Sequence, residues 1–100
     1  AGGLRISEPA ADLAVAAALI SARQDHPIAA DTIIFGEISL SGALRPVGQP
    51  DSRLREAEKL GFHAAITPSR VKLAGESGIS VHKFDNLTGF IDQFFGTIDT

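Results

Sequence analysis

Three short runs rich in β-branched and aromatic residues constrain this chain most, because stretches with helical spacing lie around and between them. Thr32-Ile33-Ile34-Phe35, Ala64 to Thr67 and Ile79 to Phe84 each read as a strand. The first is apolar almost throughout, which suits a central strand. Ahead of it, Leu13, Ala17 and Ile20 mark one face of a helix that runs to about Gln24. Val15, Ala16 and Leu19 widen its apolar surface, so burial on several sides is expected. Ser7-Glu8-Pro9 reads as its start: a capping hydroxyl, an acidic first turn, and a proline whose missing N–H costs nothing there. His26-Pro27 ends it, and Leu4 to Ile6 reads as the tail of a preceding strand.

Ile38, Leu40, Leu44 and Val47 flank Ser41-Gly42 as a hairpin. Asp51-Ser52 read as the cap of a second helix that runs to about Leu60 and is closed by Gly61. Its apolar face is thin, holding Leu54, Ala57 and Leu60 only. A polar connection from Pro68 to Gly78 joins the last two strands, and Leu87, Phe90, Ile91 and Phe94 place a final helix over about Asn86 to Phe95. The order helix, strand, hairpin, helix, strand, strand, helix predicts an α/β (α+β) domain with a mixed sheet, a β-hairpin and about three helices. No linker, repeat or low-complexity tract divides residues 1–100, so one domain is expected.

Composition narrows the function classes. The hydrophobic share of 44% allows a core, and no apolar run is long enough to span a bilayer, so no membrane partner is expected. The chain holds no Cys, which removes disulfides and thiolate metal sites and fits a cytoplasmic protein. It also holds no Met, so an excised piece of a longer chain is expected. A net charge of −3 gives no global pull toward nucleic acid. Gly36 to Gly48 is punctuated by glycine but contains no phosphate-binding loop, and turns account for it. His26, His63 and His82 fall on separate elements without metal-ligand spacing, so no metal site is expected. A triad drawn from Ser39 or Ser41, His63 and Asp31 has no nucleophile-elbow motif behind it.

Three segments are specific. They are Glu8-Pro-Ala-Ala-Asp-Leu-Ala-Val15, Phe35-Gly-Glu-Ile-Ser-Leu-Ser-Gly-Ala-Leu-Arg-Pro-Val47 and Arg53-Leu-Arg-Glu-Ala-Glu-Lys-Leu-Gly-Phe62. Together they resemble the C-terminal domain of the RadA (Sms) family of bacterial DNA repair proteins, which is itself similar to the Lon protease domain. The likeness runs from Gly2 to about Pro68. The central signature also occurs in Lon-like domains of magnesium-chelatase-type ATPases, which gives an alternative reading. The implied fold is Lon protease-like, of the ribosomal protein S5 domain 2 type.

In active Lon proteases a serine at the helix start attacks the peptide carbonyl and a lysine on the second helix acts as base. The matching positions here hold Ala10 and Arg53. Alanine offers no nucleophilic oxygen, and a guanidinium with a pKa above about 12 does not deprotonate in proteins. The resemblance therefore implies a pseudo-protease, with a residual serine peptidase the remaining enzymatic alternative. Glu8, Asp12 and Glu37 are the carboxylates expected around Arg53. The resemblance further implies ring assembly with other copies and a contribution to DNA binding. Arg45, Arg53, Arg55 and Lys59 are the candidate contacts, with Arg70 and Lys72 as outsiders. Glu56 and Glu58, interleaved with them, weaken a phosphate-binding face. ATP, magnesium and zinc belong, on this resemblance, to upstream parts of the parent, an ATPase, and no cofactor is expected in this domain.

Overall fold

The computed structural model describes residues 9–75 and 77–96, so the readings placed on Leu4 to Ile6, Ser7 and Glu8 lie outside the described residues. A 3-10 turn, Pro9–Ala11, leads into α1 (Asp12–Gln24). Then come β1 (Thr32–Ile34), β2 (Glu37–Ile38) and β3 (Leu44–Arg45). The helix α2 (Pro50–Lys59), the strands β4 (Ala64–Pro68) and β5 (Ser80–Phe84), and α3 (Leu87–Phe95) complete the described order.

β1, β4 and β5 form a parallel sheet in the order β1-β4-β5, while β2 and β3 form a separate antiparallel hairpin. In place of the single mixed sheet expected from the sequence, the described residues form two sheets. The hairpin meets the rest through its turn: Ala43 bridges Asn86, Leu44 N donates to Asp85 O, and Leu87 N donates to Gly42 O. Gly42 takes φ +88°, a conformation that makes glycine the natural residue at the tip. Among the described strands β4 is central and β1 lies at an edge. An apolar run reports that both faces of a strand are covered, and faces are perpendicular to the hydrogen-bonding edges that set strand order.

Helices cover both faces. On one, Leu13 and Ala17 of α1 and Phe90 of α3 pack with Ile66 and Phe84; on the other, Leu54 and Ala57 of α2 pack with Phe35, Ala65 and Ile79. The alternation of Ala65 and Ile66 between clusters is the period-two rule of a strand. The expectation that α1 is buried on several sides does not hold: Val15 is 56% exposed and Leu19 67%. α1 fully buries only Leu13 and Ala17, which stand one turn apart on a single face. Leu60, assigned to the inner face of α2, is also outside, at 69% exposure. Asp51-Ser52 do not cap α2. Gln49, in the left-handed region, precedes Pro50 at the first turn, and Asp51 lies inside the helix. Gly61 closes the helix with φ +96°, as expected. Asn86 caps α3, its side chain accepting from Gly89 N at 2.7 Å.

Candidate functional site

The start of α1 is fixed to the end of β1 by backbone bonds. Gly36 N donates to Ala10 O and Leu13 N donates to Gly36 O, both at 3.0 Å. α2 starts after Gln49, which takes the left-handed region ahead of Pro50. Between the two helices lies a cleft of about 580 Å³, with Ala10, Ala11 and Ala14 on one wall, Phe35 at the floor, and Arg53 and Glu56 on the other wall. Ala10 and Arg53 therefore line one cavity although 43 positions separate them, taking 53 − 10.

Arg53 Nε donates to Gly48 O at 2.9 Å, and its guanidinium carbon sits 5.9 Å from the Phe35 ring centroid. Cation–ring contact of this kind favours a permanent cation beside the ring in an apolar cleft. Of its expected carboxylate neighbours, Asp12 accepts from Ile38 N at 3.1 Å, so its carboxylate ties α1 to the hairpin. Glu37 stands opposite Arg45 across the hairpin, and Glu8 lies outside the described residues. Ser52 is the only hydroxyl-bearing residue among the described ones lining the cleft, and it takes a 3.3 Å bond from Arg55 Nη2.

The basic candidates do not form one face. Arg53 lines the α1–α2 cleft, whereas Arg55 lines a second cavity, of about 220 Å³, on the opposite flank of α2. Two residues apart on a helix means roughly 200° of rotation. Lys59 stands four residues after Arg55 and shares its flank. Arg45 is exposed on the hairpin, and Arg70 and Lys72 are exposed on the connection between β4 and β5. His63 and Asp31 are brought together, Nδ1 to Oδ2 at 2.9 Å, at the N-terminal end of the parallel sheet. Ser39 and Ser41 bond each other in the hairpin turn, whose neighbours Asp85 and Asn86 follow the C-terminal end of β5. The length of the sheet separates them from His63, so no triad forms. His26 and His82 lie edge-on to Phe95 and Phe94. Among the described residues no three His, Cys, Asp or Glu gather as a metal site, and no helix is long and apolar enough to cross a membrane.

Sequence reading missed one arrangement. Asp51 and Glu58, seven residues apart and so on one flank of α2, bind the connection between β4 and β5. Asp51 accepts from Ala74 N at 3.1 Å and Gly75 N at 3.2 Å, and Glu58 accepts from Gly78 N at 3.1 Å. The two amide donors at Ala74 and Gly75 hold the Asp51 carboxyl below its ordinary 3.8; partial desolvation opposes them and Arg55 adds to them. A carboxylate whose folded pKa is depressed stabilises above its unfolded value and loses that contribution as pH falls through the folded one. The Ala74 and Gly75 amide proton shifts are therefore expected to titrate together, with a midpoint below 3.8, and to lose the step in Asp51→Asn. A midpoint at or above 3.8 would contradict the bonded carboxylate.

Together these features define a small three-layer α/β domain with a cleft that has alanines on one wall and an arginine on the other. The family model described as subunit ChlI of Mg-chelatase matches residues 2–71, and the chain belongs to that family. The sequence resemblance to RadA also holds. The chain is 59% identical over 69 residues to the DNA repair protein RadA of Brucella abortus, which covers 69% of this chain and 15% of that protein. It is 38% identical over 95 residues to RadA of Aquifex aeolicus, covering 95% of this chain and 21% of that one. With RadA of Synechocystis it shares 49% identity over 79 residues, 79% of this chain and 15% of the relative. The chain thus spans about a fifth or less of the length of these relatives.

Proposed function

We propose that the chain serves a DNA repair ATPase as its Lon-protease-like, non-peptidase module, supporting ring assembly and contacting DNA. The observation that carries this reading is the similarity to DNA repair protein RadA over as many as 95 residues. Ala10 supports the non-peptidase part, since a cleft with alanine at the nucleophile position and arginine at the base position lacks both halves of a Ser–Lys dyad. In this reading the module is C-terminal in a cytoplasmic parent, and ATP, magnesium and zinc are held upstream. Its partners are DNA and further copies of itself.

Arg55 and Lys59, which share a flank of α2, form the centre of the DNA face, with Arg45 and Arg53 contributing from neighbouring surfaces. The test is binding of a fluorescent duplex to the chain across a salt series. Arg55→Glu with Lys59→Glu is expected to weaken binding by more than about tenfold and to flatten the salt dependence. Unchanged affinity would overturn the DNA face. The ChlI match favours a second reading, the Lon-like domain of a chelatase-type ATPase with a scaffolding role. That reading expects no salt-dependent DNA binding by the chain at all.

A further inference from the structure

β4 and β5 are parallel, yet the described residues of the connection between them, 69–79, form no helix. A parallel crossover normally buries its return path with a helix. Here the return path lies along the flank of α2 and is tied there by side chains. Ala74 and Gly75 are bound by Asp51 near the start of α2, and Gly78 is bound by Glu58 near its end, so connection and helix run in the same direction. The approach at the second tie is close: a Cβ on Gly78 would stand 2.7 Å from Glu58 Oε2. Along the first half of the connection, residues alternate. Val71 is buried and Leu73 packs on the α2 side of the core, while Arg70, Lys72 and Ala74 face out.

We propose that this connection is a latched arm: the bonds from Asp51 and Glu58 hold it on α2 so that Arg70 and Lys72 join Arg55 in one surface for a phosphodiester backbone. Lys72 is two residues from the tie at Ala74, a reach of at most about 7 Å of extended chain. Arg55 stands one turn beyond Asp51, the residue that makes that tie. Two carboxylates otherwise unfavourable to a polyanion are thereby given a positioning task. The inference rests on the DNA-contact reading above, and it adds the arm cations and the latch to it.

The experiment has two readouts on the 100-residue chain. Amide hydrogen exchange compares the parent with Asp51→Ala/Glu58→Ala, which removes the accepting oxygens. Exchange is expected to accelerate at Ala74, Gly75 and Gly78 while β4 stays protected, and unchanged exchange at those three amides overturns the latch. Duplex binding then compares Arg70→Ala/Lys72→Ala in the latched and the unlatched chain. In the latched chain the pair is expected to reduce the slope of log affinity against log salt by about 1.8, from about 0.9 per lost phosphate contact, and by close to nothing in the unlatched chain. Equal reductions in both backgrounds, or none in either, overturn the arm. Absence of any salt-dependent binding by the parent overturns the nucleic-acid reading and the arm with it, whereas the exchange result by itself decides the latch.

Discussion

Phe90→Ala is expected to lower folding stability by about 3–5 kcal/mol, the range for truncating a buried aromatic ring. Phe90 has no exposed surface and is among the largest fully buried side chains. Its ring centroid lies 5.5 Å from Phe84, 5.3 Å from Phe94 and 5.7 Å from Phe95, with Leu13, Ile66 and Leu44 in the same cluster. The Phe84 and Phe95 contacts are close to perpendicular, at 70° and 85°, which places ring edges against ring faces. Loss of this ring leaves a void between α1, α3 and the sheet that neither helix can fill without giving up its backbone ties to neighbouring elements. Small domains carry about 5–15 kcal/mol in total, so the variant should approach the unfolding threshold. Urea unfolding followed by circular dichroism measures it; a loss below about 1 kcal/mol would mean that α3 does not close this core.

That helix was legible in the sequence, because Leu87, Phe90, Ile91 and Phe94 repeat at three and four residues and leave no competing period. The strands were legible for the complementary reason, short β-rich runs bounded by turns. What the pattern did not carry was lateral order. Thr32 to Phe35 looks central because its side chains are covered above and below, yet β1 lies at the edge of the described sheet. The breadth of the apolar surface on α1 misled in a related way: Val15 and Leu19 raise its hydrophobicity without entering the core. Of the site, the proximity of Ala10 and Arg53 came from a family resemblance and not from spacing, since no local rule joins positions on two helices. The carboxylate ties from Asp51 and Glu58 were hidden because a charged helix flank reads as solvated surface. Only the amides of the connection they bind reveal their use.

Gly36→Ala tests how tightly the cleft is built, and it is expected to cost about 1–3 kcal/mol, the penalty for inserting a methyl into a packed site. A Cβ at this position would meet Pro68 Cγ at 3.0 Å, Pro68 Cδ at 3.1 Å and Leu13 Cδ2 at 3.3 Å. None of these neighbours yields easily. The proline ring is covalently closed, and Leu13 has no exposed surface into which to swing. The backbone cannot retreat either, because Gly36 N donates to Ala10 O and Gly36 O accepts from Leu13 N. Relief must come from lifting the first turn of α1 away from β1, and that turn carries Ala10, one wall of the cleft whose other wall carries Arg53. The variant should therefore lose stability and, in the same spectra, shift the amide resonances of Ala10 and Leu13 while leaving Ala74 and Gly75 in place. A chain within about 0.5 kcal/mol of the parent, with those resonances unmoved, would show that α1 and β1 are joined more loosely than this contact requires. The cleft would then owe its shape to some tie other than Gly36.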